Sequence, residues 1–131
     1  MDQEQTFDKI KVNEKELILR NADRICKLLA INEDGDVLVK LVVPRGIPRT
    51  LLILLGKVVA KRLGFSSDSG LTLGDLSVLT GLKGDELNKV IDASPYLVYS
   101  GHGRYRLNTL FLSALLEELE KLYTSEEQES M

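Results

Sequence analysis

A chain of 131 residues with 44% hydrophobic side chains is long enough to bury one real core and too short for two comfortable domains. Its longest apolar run, residues 51–55, is far below the roughly 20 residues that a bilayer span requires, and the acidic opening Met1-Asp2-Gln3-Glu4-Gln5 lacks the basic-then-apolar pattern of a secretory leader, so a cytoplasmic protein without membrane contact is expected. The net charge is −3, and one Cys with one His excludes an internal disulfide and cannot build a zinc site, so neither metal nor cofactor is expected.

Residues 1–12 are polar and without period, and read as a disordered tail. Asn13 followed by Glu16 offers a capping box, and Ile18, Ala22, Ile25 and Leu29 recur at helical spacing. This predicts an amphipathic helix through Ile31, with a break near Asn21, on which Cys26 is a small core residue. Asn32-Glu33-Asp34-Gly35-Asp36 reads as a turn, because the ligand spacing of a calcium-binding EF-hand loop and its closing Glu are both missing. Residues 37–43, rich in Val and Leu, read as a short strand.

Pro44-Arg45-Gly46-Ile47-Pro48 is a rigid connector, and Pro48 suits the first turn of a helix, where its missing amide would have no partner. That helix runs to Leu63 and stops at Gly64. Leu51, Leu52, Leu55, Val58, Val59 and Leu63 cover more than half of its circumference, which marks it as the central buried helix. Lys57 and Lys61 define its wet stripe, with Arg62 beside it, and residues 66–70 form a flexible loop.

A third helix starts at Thr72, whose hydroxyl caps the first turn while Asp75 completes a capping box. Leu73, Leu76 and Leu79 are its apolar face, small Ser77 allows a close crossing, Gly81 makes the turn and Leu82 plugs the gap behind it. A fourth helix runs from about Asp85, its cap, to Ala93 and is stopped by Pro95. Leu87, Val90 and Ile91 form its inner face, leaving Glu86, Asn88, Lys89 and Asp92 outward. Tyr96, Val98, Tyr105 and Leu107 then flank Ser100-Gly101-His102-Gly103 as two strands around a tight hairpin turn, with Tyr105 inward and Arg104 and Arg106 on the opposite face.

The order helix, turn, helix, hairpin resembles the winged helix-turn-helix superfamily of small single-domain DNA-binding regulators. Leu76-Ser77-Val78-Leu79-Thr80-Gly81-Leu82 is similar to the Leu-small-x-x-x-Gly-apolar signature of its turn, and the hairpin ending Gly103-Arg104-Tyr105-Arg106-Leu107 is similar to its wing. The resemblance covers about half of the chain. It implies a third strand for the wing, with residues 37–43 as the candidate. It also implies that a helix after the wing serves as a dimerisation element. Asn108 caps such a helix, in which Leu112, Leu115, Leu116, Leu119, Leu122 and Tyr123 form the stripe of a homodimer seam; folding back on its own domain is the alternative.

The expected fold is therefore α+β and mostly helical: a winged helix-turn-helix with an N-terminal helix and a C-terminal amphipathic helix, in one domain over residues 13–123. The helix-turn-helix occupies 72–93, the wing 96–107 and the last helix 109–123, with an acidic disordered tail over 124–131.

No catalytic constellation is present: His102 sits at a hairpin tip, no Ser or Cys has a base nearby in sequence, and Gly101-His102-Gly103 is too short for a nucleotide loop, so no enzyme is expected. Charge distribution matters more than its sum. Residues 1–36 carry six basic and nine acidic side chains, 37–110 carry ten and five, and 111–131 carry one and six, so the basic surplus falls on the helix-turn-helix and its scaffold. The resemblance implies a transcriptional regulator that binds double-stranded DNA, with Asn88 and Lys89 toward base edges, Lys83 toward phosphate, and His102, Arg104 and Arg106 of the wing toward backbone or minor groove. Lys57 and Lys61 are further phosphate candidates. The alternative is a winged-helix module that docks a protein partner in a larger complex, suggested by Asp85 and Glu86 at the start of the would-be recognition helix, where carboxylates repel phosphate.

Overall fold

The computed structural model describes residues 13–40 and 46–129, with side chains through Leu122. The expected tail over 1–12, residues 41–43 of the expected strand, Pro44 and Arg45 of the connector, and the Tyr123 side chain lie outside the described residues.

Asn13 caps α1 (Glu14–Arg20) through its side-chain oxygen, which accepts from the Glu16 amide at 3.0 Å. Asn21 ends α1, its side-chain amide donating to the Leu17 carbonyl, and one further turn, α2 (Ala22–Ile25), follows. The expected single helix therefore breaks where Asn21 predicts, but it does not reach Ile31. Leu29–Ile31 is a strand, β1, paired antiparallel with β2 (Val37–Val39) in the register Leu29↔Val39. Helical spacing misleads here because the intervening turn is strong: the Asn32 side-chain oxygen accepts from the amides of both Asp34 and Asp36, which aligns the flanking residues for pairing. Cys26, expected in the core, is exposed at the end of the shortened helix.

α3 (Ile47–Leu63) has Pro48 in its first turn and stops at Gly64. Leu52, Leu54, Leu55, Val58 and Ala60 on it are almost wholly buried, so it is the central helix as expected, although Leu63 at its end faces solvent. The β1–β2 hairpin lies across α3 at Gly56, where a Cβ would stand 2.4 Å from a Val37 methyl; only a bare backbone lets the two pack so closely.

A two-residue strand, β3 (Leu71–Thr72), leads into α4 (Leu73–Thr80), then α5 (Gly84–Ala93). The hairpin β4 (Leu97–Gly101) and β5 (Arg104–Leu107) follows, and the sheet order is β3-β5-β4, antiparallel throughout. The third strand of this sheet is thus Leu71–Thr72. Val37–Val39 of the expected strand pair instead with Leu29–Ile31, because turn closure there is local and costs less loop entropy than reaching the distant hairpin.

Asn108 caps a 3-10 turn (Thr109–Phe111) by accepting from the Leu110 amide, and α6 (Leu112–Glu129) continues from it. Its backbone is helical past Tyr123 through residues expected to be disordered; Ser125, Glu126, Glu127 and Gln128 include no helix breaker. Leu112, Leu115, Leu116 and Leu119 are buried in the core with α3 and Leu107, while Leu122 is exposed. Four of the six residues of the expected dimer stripe therefore pack within the chain's own domain, because a helix with this much apolar face buries it against the nearest apolar surface available. Arg24 of α2 fastens α6 from outside, its Nε 2.6 Å from a Glu120 oxygen. The described chain is α+β and mostly helical, and none of its helices is long and apolar enough to cross a membrane.

Candidate functional site

The unit α4–turn–α5 is held by side chains chosen for the purpose. Thr72 Oγ1 accepts from the Asp75 amide and Asp75 Oδ2 accepts from the Thr72 amide, both at 3.1 Å, so the first turn of α4 closes by a reciprocal capping box. At the other end Gly81 takes φ +77°, a conformation that costs other residues energy. Ser77 Oγ donates to the Leu82 carbonyl at 2.7 Å, and Thr80 Oγ1 accepts from the Leu82 amide at 3.1 Å, so both polar groups of Leu82 are satisfied by α4 and the turn geometry is fixed. Leu76 is buried and Leu79 and Leu82 are half-buried, but Leu73 and Val78 lie in solvent, a narrower apolar face than expected.

α5 begins one residue earlier than expected. Lys83 is the residue before its first turn and makes no side-chain cap bond, so Asp85 is not the cap; Asp85 and Glu86 both stand in the first turn, where carboxylates favour the positive end of the helix dipole. Leu87 and Ile91 are buried and Val90 half-buried, as their spacing predicts. Asp85, Glu86, Asn88, Lys89 and Asp92 form an exposed polar face, with exposed Lys83 at its start. Beneath α5 an apolar cavity of about 20 Å³, lined by Leu51, Leu76, Leu87 and Ile91 among others, has room for little more than one water-sized group.

In the hairpin, Tyr99 and Tyr105 meet edge to face with ring centres 5.3 Å apart, and the Gly103 amide donates to the Tyr99 hydroxyl at 2.9 Å. This sets the tip, where His102 is exposed at φ +54°. The two arginines behave differently from expectation. Arg104 Nη1 lies 2.8 Å from Asp68 Oδ2 in a pair with both side chains 42% exposed. Arg106 is turned into the domain, where it pairs with Glu14 of α1.

Glu14 is the feature that sequence reasoning missed. Its carboxylate, 12% exposed, receives Arg106 of β5, Arg62 of α3 and, at 2.7 Å, the Thr109 hydroxyl. Burial pushes its pKa up, but the hydrogen bonds from Arg62 and Thr109 and the charge of Arg106 outweigh that and hold it below the ordinary glutamate value. Partners 48, 92 and 95 residues away leave no local signal.

Of the expected contact residues, Lys83, Asn88 and Lys89 are exposed together at α5, and His102 and Arg104 share the hairpin. Arg106 does not join them, because Glu14 holds it. Lys57 and Lys61 do not either: Ile47, Thr50 and Leu51 are the α3 residues beside α5, and Lys57 and Lys61 lie six and ten residues past Leu51, roughly 9 and 15 Å along the axis. Among the described residues no group of three or more His, Cys, Asp or Glu gathers to hold a metal. No family model, curated protein or solved structure matches the chain.

Proposed function

We infer that this chain is a winged-helix domain that binds double-stranded DNA through α5 and the β4–β5 hairpin, in the manner of a transcriptional regulator. One observation carries the reading: α4, the Gly81 turn, α5 and the hairpin follow one another with β3 as third strand, and among the described residues this order leaves the polar face of α5 in solvent, with Asn88 and Lys89 exposed. In the major groove, Asn88 has the two-pronged amide that matches an adenine edge, while Lys83 and Lys89 reach phosphate or guanine. His102 at the tip and Arg104 follow the backbone on the hairpin side. The Arg104–Asp68 pair is half-exposed and therefore weak, so exchanging Asp68 for a phosphate costs little. Arg106, Lys57 and Lys61 have no part in this interface.

Titration with random-sequence duplex at two salt concentrations tests the proposal. Contacts from Lys83, Lys89 and Arg104 predict a slope of log affinity against log salt near about −3, at about −0.9 per phosphate neutralised. Absence of measurable binding at about 50 mM salt, where several phosphate contacts give easily detected affinity, sinks it.

A second reading, a protein-docking module, is favoured by the exposed carboxylates of Asp85 and Glu86 at the start of α5 and by the engagement of both hairpin arginines within the chain. It predicts no duplex binding and a partner with a basic surface laid against Glu86 and Asp92.

A further inference from the structure

At the base of the hairpin, away from its tip, two guanidinium groups and a hydroxyl converge on a single carboxylate. Arg62 comes from the last turn of α3, Arg106 from β5 and Thr109 from the 3-10 turn after β5, so three elements of the main domain supply the donors. The acceptor, Glu14, comes from α1. Charge does not balance at this point: two cations face one anion, with the Glu14 and Arg106 side chains 12% and 22% exposed and Arg62, at 46%, open to solvent on the outer side.

The element that supplies the anion is weakly seated. α1 has seven residues and none of them is buried, with Leu17 and Ile18 only half-buried against the core. A single short helix of this kind is marginal by itself, and segments with few buried contacts open at a small fraction of the global unfolding free energy. The donors, by contrast, stand on α3, the β3-β5-β4 sheet and the turn anchored by buried Thr109, elements that pack into the core.

We propose that Arg62, Arg106 and Thr109 form a binding site for a phosphate group, and that the Glu14 carboxylate is its built-in occupant, displaced when the ligand arrives. Two carboxylate oxygens satisfy the two guanidiniums as two phosphate oxygens would. A phosphate adds a third oxygen for the Thr109 hydroxyl and up to a second negative charge, which matches the two arginines where one carboxylate does not. Because Glu14 is tethered, it competes as an intramolecular ligand at high effective concentration, and the wild-type chain accordingly binds phosphate more weakly than a chain without that carboxylate. The site does not depend on α5 touching DNA.

Inorganic phosphate, titrated at constant ionic strength against chloride, is the probe, read by NMR shifts of the arginine Nε–H groups. Glu14→Ala is expected to bind phosphate saturably, at least about tenfold tighter than wild type, and Glu14→Ala with Arg106→Gln is expected to lose that binding. In wild type, phosphate is expected to speed hydrogen exchange of the α1 amides while leaving α3 unchanged. A folded Glu14→Ala protein with no saturable response would overturn the proposal, as would unchanged α1 exchange in wild type, which needs no variant to fold. If a short duplex competes with phosphate for the Arg106 signal, the ligand phosphate is that of a nucleic-acid backbone; if phosphate binds without such competition, it is the free anion.

Discussion

Two carboxylates in this chain act in opposite senses. Glu86 is exposed in the first turn of α5 and, among the described residues, pairs with no cation. In the proposed DNA complex it would stand close to phosphates, so Glu86→Gln is expected to tighten duplex binding by a few-fold at low salt and by less at high salt, where screening shortens the reach of the charge. Equal affinities for the two proteins would mean that α5 does not enter the groove. Glu14, in contrast, stabilises the fold. Its folded-state pKa lies below the ordinary 4.5, so its stabilisation is fully present above the unfolded value and is lost as pH falls through the folded one. Urea midpoints are expected to decline from about pH 5 downward, and Glu14→Gln is expected to flatten part of that decline. Glu120, held low by Arg24, contributes in the same direction but is 42% exposed and therefore screened. An unchanged acid limb in the variant would show that the Arg62–Glu14–Arg106 cluster does not favour the folded state.

At the scale of elements, what could be read from sequence was what local chemistry decides. The Thr72–Asp75 box, the Gly81 turn, the inner face of α5 and the Gly64 stop each depend on residues within four positions of one another, and each stands where its residues predict. Pairings across longer distances were not legible. Leu29–Ile31 has a helical period, and only the presence of Val37–Val39 on the far side of the five-residue turn 32–36 makes it a strand. The contact that seats this hairpin is equally non-local: Gly56 meets Val37 across α3. Gly56→Ala is expected to push β2 from α3 and to lower stability by about 1–3 kcal/mol, the usual cost of overpacking a close contact. Adding Val37→Ala is expected to restore part of that loss. Additive losses in the double variant, measured by urea denaturation, would mean that the two groups do not meet.

For the whole molecule, the apolar stripe of α6 decides between a seam and a core. Sequence could identify the stripe but not its partner, because a face of leucines is equally satisfied by a second copy or by α3. Leu116 is fully buried within the chain, so Leu116→Ala is expected to cost about 2–5 kcal/mol of unfolding free energy, as deletion of a packed leucine does. The same variant is expected to leave the light-scattering mass per particle unchanged. A fall in mass without a loss of stability would return the stripe to an interface between chains.

The interface itself is tested most directly by mapping backbone amide shifts during titration with a short duplex at low salt. The account predicts the largest changes at Lys83, Asn88 and Lys89 on α5 and at His102 and Arg104 on the hairpin, with α6 and the β1–β2 hairpin silent. A saturable titration whose shifts fall on α6 or on Lys57 and Lys61, or the absence of any shift, would contradict it.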